Sequence, residues 1–156
     1  MGRQIVKGFA MLMLLLTLAL ATAVATANGQ GKHTVTAKVP FEFIVGDRAL
    51  SAGQYSMRAI GVAEEALASQ SADGKNNAIR LTNATAPQRD KRAKLVFHRY
   101  GNTYFLSEVS EGGGEGGWQL NKSKQERAME RELNRIAANR DTRNVYEEVV
   151  ILATNR

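Results

Sequence analysis

The chain has no cysteine, two prolines, two histidines and one tryptophan in 156 residues. Without cysteine there is no disulfide framework, no thiol nucleophile, no thiolate metal site and no lipid anchor built on a cysteine. The two histidines, His33 near the N-terminus and His98 in an apolar run, are a poor basis for a zinc site when no thiolate can join them. No Gly-x-Ser-x-Gly elbow is present to expose a serine nucleophile. Gly31-Lys32 and Gly74-Lys75 are followed by His33 and Asn76, not by the Ser or Thr that holds magnesium in a Walker loop. Gly112-x-Gly114-x-x-Gly117 matches the dinucleotide fingerprint by letter, but no parallel βαβ pattern surrounds it and no cofactor is expected. No internal repeat is evident.

What is present begins with an address. Arg3 and Lys7 precede an apolar run from Phe9 to Ala21. A small-residue stretch, Thr22–Ala27, then ends in Ala-x-Ala. This is the pattern of a secretory signal peptide over residues 1–27, with the mature chain starting at Asn28. The competing reading is an uncleaved N-terminal anchor, because the run approaches the roughly 20 residues that span a bilayer. Residues 28–156 are expected to form a single β-rich domain. Export without cysteine suits a bacterial periplasm or exterior better than a eukaryotic secretory route, where small domains are commonly disulfide-stapled. The net charge is +6, and losing Arg3 and Lys7 leaves +4. That permits attraction to an envelope component or a polyanionic surface without demanding it. Export argues against nucleic acid as a partner, and membrane contact is expected only through the N-terminal segment if it stays uncleaved.

The mature chain reads as strands with one helix. Val35, Ala37, Val39, Phe41, Phe43 and Val45 share one parity, and only Ile44 breaks the alternation. Pro40 cannot donate a ladder hydrogen bond and places this strand at an edge or a bulge. Gln54–Ile60 reads as a strand. Val62–Gln70 is ambiguous between helix and strand and leans to strand. Ser71–Asn77 is a hairpin tip around Asp73-Gly74, Ala78–Leu81 a short strand, and Asn83–Lys94 an exposed loop. Lys94–Val109, KLVFHRYGNTYFLSEV, reads as a β-hairpin turning at Gly101-Asn102. That turn pairs Arg99 with Tyr104, His98 with Phe105, Phe97 with Leu106 and Val96 with Ser107. Both hairpin faces are largely apolar, so one is expected under more sheet and the other under a helix or a second sheet. Glu111–Gly117 reads as a flexible glycine loop. Ser123-Lys124-Gln125-Glu126 resembles a capping box that opens a helix at about 122–140, with an apolar stripe of Met129, Leu133, Ile136 and Ala137. Val145–Ala153 is a closing strand. The fold class is therefore all-β, mainly antiparallel, a small barrel-like sheet or sandwich with one C-terminal amphipathic helix and a closing strand.

The motifs KVPFEFIVGDRALSAGQY (Lys38–Tyr55), LVFHRYGNTYFLSEV (Leu95–Val109) and SKQER (Ser123–Arg127) follow in this order over a span that takes in most of the mature chain. In these the chain resembles a family of small exported bacterial proteins of unknown function. It departs from the family at Ser51, where proline is common, and at Ser110, where tryptophan is. The resemblance implies export and a β-rich fold and carries no activity with it.

The densest polar group is His98, Arg99 and Tyr100 with Tyr104 and Glu108; Trp118 is a further candidate. Arg99 could hold a small anion, and an exposed Trp118 could serve as a ligand or glycan platform. The structural alternatives are an arginine packed on a tyrosine across a strand pair, a hydrogen-bonded core histidine, and a tryptophan pinning the glycine loop. The expectation is a non-catalytic exported binding or accessory protein. The alternative is a small-ligand carrier or enzyme that uses the polar cluster around His98, Arg99 and Tyr104.

Overall fold

The structure, a computed structural model, describes residues 34–87, 92–137 and 145–155. These lie within one compact unit, His33–Arg156. The N-terminal signal-like segment, the leader with His33, and part of the basic stretch Arg89–Lys94 fall outside the described residues.

Among the described residues eleven strands and one helix follow in chain order: β1 (Thr34–Val39), β2 (Phe43–Val45), β3 (Arg48–Leu50), β4 (Gly53–Ile60), β5 (Ala66–Ser71), β6 (Asn77–Thr85), β7 (Lys94–Tyr100), β8 (Thr103–Ser110), β9 (Gly117–Leu120), α1 (Lys124–Ala137), β10 (Glu147–Leu152) and β11 (Thr154–Asn155). The strands form one sheet in the order β10-β7-β8-β9-β6-β5-β4-β1-β11, with β2 joined to β8 and to β3. All ladders are antiparallel except the short β2–β8 pairing at Ile44 and Phe105. The sheet is not closed into a barrel by a ladder. Its two outermost strands are instead successive stretches of one segment: β10 pairs with β7, the chain passes Ala153, and β11 pairs with β1. The Ala153 amide donates to the Ala93 carbonyl at 2.9 Å and fixes that passage. Among the described residues no helix is long and apolar enough to cross a membrane.

The sheet curls around one core. Val35, Ala37 and Val39 from β1, Tyr55, Met57 and Ala59 from β4, Leu95 and Phe97 from β7, and Leu106 and Val109 from β8 all point into it. A chain of rings crosses it: Tyr104 stacks on Phe41 (centroids 3.9 Å apart), and Phe41 meets Phe97 edge-on at 5.3 Å. Phe97 meets Phe43 at 5.4 Å, and Phe43 meets Tyr55 at 5.0 Å, both again edge-on. Edge-to-face aromatic pairs add about 0.5–1.5 kcal/mol beyond burial, so this chain ties β7 and β8 to β4 through the β1–β2 connection.

Several elements depart from the sequence-based expectation. The long alternating run from Val35 is two strands: the ladder stops after Val39, at Pro40, and resumes at Phe43. Ile44 breaks the alternation because it faces the helix, with Tyr100 and Phe105, while Phe43 and Val45 face the core. Val62–Gln70 divides into a turn, in which Glu64 takes a positive φ of 55°, and strand β5. Strand β6 runs on through Thr85, so Asn83–Thr85 are paired with β9 and are not loop. The helix starts at Lys124, close to the expected position, its expected end at about 140 lies outside the described residues, and Ile136 is 64% exposed, outside the packed stripe.

The glycine stretch is a structured β8–β9 connection. Glu115 N–H donates to Gly112 O at 3.1 Å, and Gly112–Gly114 all take positive φ. Gly117 begins β9, at an approach so close that a Cβ would lie 2.2 Å from the Val109 carbonyl oxygen. The dinucleotide-like spacing thus falls on an antiparallel turn.

Gly117→Ala should destabilise the fold by about 1–3 kcal/mol, as expected where added volume forces the backbone to shift. Gly53→Ala, whose Cβ meets only the Tyr55 ring at 3.6 Å, should change stability by less than about 1 kcal/mol. Urea unfolding midpoints of the two variants check the contrast.

Candidate functional site

The central hairpin forms with the expected turn register: Arg99 opposes Tyr104, His98 opposes Phe105, and Phe97 opposes Leu106. A bulge between Val96 and Phe97 then shifts the pairing, so Val96 faces Glu108, not Ser107, and Leu95 faces Val109. The extra residue is accommodated on β8 at Ser107. Side chains alternate along a strand, so one added residue exchanges the faces beyond it. Val109 therefore joins Leu95 and Phe97 in the core, and Glu108 lies on the face opposite Arg99 and Tyr104.

The six candidate residues accordingly do not converge. His98 and Tyr100 lie on the outer face, under the helix. Arg99 and Tyr104 lie on the inner face, at its end. There the Arg99 guanidinium stands 5.6 Å from the Tyr104 ring centroid, donates through Nε to Gly101 O at 2.8 Å, and pairs with Glu147 at 3.3 Å. Arg99 is thus occupied within its own hairpin and the neighbouring strand. Trp118 is 5% exposed in the core and offers no platform to solvent.

The group that does converge includes residues the hairpin motif did not indicate. Ser123 caps α1: its Oγ accepts from the Glu126 amide at 3.0 Å, as in a capping box. The Glu126 carboxylate turns inward and is 5% exposed. Its Oε1 lies 2.8 Å from His98 Nδ1 and accepts from the Tyr100 hydroxyl at 3.4 Å. Because a carboxylate accepts, the fitting imidazole tautomer carries its proton on Nδ1. Tyr146 covers the imidazole at 4.1 Å between ring centroids and tilts against Tyr100 at 5.5 Å. Lys122 sits 5.1 Å above the Tyr146 ring and is held by Glu130 at 2.6 Å. Met129, Leu133 and Val145 complete the apolar surround with Phe105 and Ile44. Burial, then the Glu126 and Glu130 charges, raise the Tyr100 phenol above its usual range.

Chemically this is a clamp. The imidazole–carboxylate pair resembles part of a hydrolytic triad, but an aromatic ring lies against the imidazole, and both hydrogen-bonding partners of the carboxylate belong to the strand beneath. Among the described residues no cluster of His, Asp and Glu could hold a metal ion.

Among the described residues, surface clefts lie elsewhere, and two are well formed. One, of about 170 Å³, is lined by Ser51, Gln54, Tyr55, Ser71, Asp73 and Asn76. In it the Ser71 hydroxyl donates to Asp73, which also accepts from Lys75 N–H at 3.1 Å. These bonds lower the Asp73 pKa and close the β5–β6 turn. The other, of about 340 Å³, lies between Arg48, Asp47 and Arg80, where Asp47 and Arg80 are 3.8 Å apart.

Sequence reasoning placed Glu126 at the capping position but not in the interior. The available signal was spacing: Glu126, Met129, Leu133 and Ala137 fall on one helical face.

Glu126→Ala strands two largely buried donors, His98 and Tyr100, without their acceptor and should cost about 3 kcal/mol, since each buried donor left unsatisfied costs about 1–3 kcal/mol. Glu126→Gln keeps an acceptor and should cost less; denaturant titration followed by helical circular dichroism reads both. A phenol with a raised pKa in the folded state stabilises the fold fully below its unfolded value near 10 and progressively less above it. Stability should therefore fall as pH climbs past about 10, and the fall should be shallower in Tyr100→Phe, measured by urea midpoints across that range. Comparison of the chain with protein-family models, with curated proteins and with solved structures gives no match.

Proposed function

We propose that this chain is an exported, non-catalytic binding or accessory protein of a bacterial envelope or exterior. The observation that carries this reading is the use made of the buried ionisable side chains. His98, Tyr100 and Glu126 are spent on holding α1 to the sheet, closed over by Tyr146 and Lys122. The polar residues expected to share a pocket stand on opposite faces of one strand pair, so no single ligand reaches both His98 and Arg99 from one side. Catalysis needs convergent groups with space for a reacting atom between them, and here the imidazole, carboxylate and phenol are in hydrogen-bond contact with one another under the Tyr146 ring. The N-terminal basic–apolar–small pattern and the resemblance of the Lys38–Tyr55 and Leu95–Val109 motifs to small exported proteins support the export half of the reading.

Expressed in a bacterium with its own N-terminus, the chain should be recovered outside the cytoplasm with an intact mass that begins at Asn28. Recovery inside the cell at full length would overturn the reading. So would turnover of a hydrolase or transferase substrate by the purified protein that is lost in His98→Ala.

A further inference from the structure

Helix α1 carries seven charged side chains in fourteen residues, and in the sequence the two signs alternate. Folding sorts them by side. Glu126 turns inward to His98 and Tyr100, and Glu130 is held by Lys122. The cations turn outward. At about 100° per residue, Lys124, Arg131 and Arg135 fall within about 20° of one line, with Arg127 about 60° to its side. This line lies opposite Met129 and Leu133, which pack on the sheet, and all four cations are exposed. Arg135 has Glu132 at 3.3 Å, an exposed pair of little energetic weight. Among the described residues Lys124, Arg127 and Arg131 lie in no ion pair. One of the helix's three acids is therefore buried and a second is neutralised by Lys122, so the outer face is a row of four cations beside a single exposed acid, Glu132, an excess of positive charge that the linear sequence conceals.

We propose that this row binds a linear acidic polysaccharide, a polymer with carboxylates along its sugar chain. The proposal rests on the exported reading above, which places such polymers and not nucleic acid within reach. Three features of the ridge select the ligand. First, the row is straight and about 16 Å long, with a cation at nearly every turn of about 5.4 Å; an isolated small anion would engage one of them, and a chain of anions engages them all. Second, three of the four cations are arginines, whose planar fork meets a carboxylate, as it does other oxyanions, in two parallel hydrogen bonds. Third, no large apolar side chain stands among the four, and the exposed Ile136 lies about 100° around the helix from Arg135, so the ridge itself has no wedge to sink into lipid, as surface-lying membrane helices do.

The test uses the full chain in non-ionic detergent and polygalacturonate as the probe. Arg127→Gln/Arg131→Gln/Arg135→Gln is compared with Arg48→Gln/Arg58→Gln/Lys75→Gln, which removes the same charge from exposed positions on the β side. Helical circular dichroism verifies that α1 persists in both. Wild-type affinity should fall about thirtyfold between about 50 and 200 mM salt, as release of counterions from about three contacts implies. The ridge triple should lose a similar factor at the lower salt, and the β-side triple less than about twofold. Equal losses in the two triples would mean that net charge alone is read, and would overturn the proposal. Equally tight, ridge-dependent binding of double-stranded DNA at the same salt would overturn it in favour of a nucleic-acid surface. Export is scored separately by fractionation. An exported chain that does not bind the polymer overturns the ridge alone, and a chain retained in the cytoplasm overturns the parent reading with it.

Discussion

A strand pair that is apolar on both faces has to be covered twice, and the arrangement of this domain follows from meeting that demand at β7 and β8. Inward, Leu95, Phe97, Leu106 and Val109 meet the curled remainder of the sheet. Outward, Tyr100 and Phe105 meet α1, the Val145–Tyr146 segment and Ile44. Each fully buried large apolar side chain contributes about 1.5–3 kcal/mol, so leaving either face to water would remove a sizeable part of a domain's net stability of about 5–15 kcal/mol. The other half of the sheet is treated differently. Its inner face is buried, but outward Ile79 and Leu81 of β6 are 68% and 65% exposed.

The outer cover is held by a polar contact. An amphipathic helix with only Met129 and Leu133 as large packed side chains buries little apolar surface, and its one fully buried residue is Glu126. A carboxylate withdrawn from water is costly unless its oxygens are occupied. Here two donors from β7, His98 and Tyr100, supply the partners, and Ser123 fixes the helix start from which the carboxylate projects. The contact adds direction, because it works at one helix register and one rotation about the axis. The same rotation turns the four basic residues to solvent. The electrostatic face of the domain is thus a consequence of how its helix is fastened.

Much of the architecture was legible in the residues. Alternation in β1 and β4, the Gly101-Asn102 turn, the Ser123 cap and the β-branched run at the C-terminus each specify local geometry through side-chain period or backbone preference. The candidate site was much less legible. The hairpin motif drew attention to His98, Arg99, Tyr100 and Tyr104 as neighbours in sequence, yet successive residues of a strand point to opposite faces, and only an element from elsewhere can complete a site on either. Glu126, 28 residues from His98, carries no local mark that separates an interior carboxylate from a surface one. The bulge at Ser107 was equally hidden, since nothing in LSEV distinguishes a paired serine from an extra one. The glycine run was misleading in a different way: its composition signals freedom, whereas Gly117 is needed where two backbones nearly touch.

By itself, then, the sequence determined the strand-rich class, the places where the chain turns, the start of the helix and the chemistries that lack their residues, because each depends on groups a few positions apart. Tertiary structure alone decided which face of each strand is buried, which carboxylate goes inside and which cations are left on the surface. Those outcomes depend on which distant segments come to lie against one another, and that is settled by burial and hydrogen bonding across the whole domain.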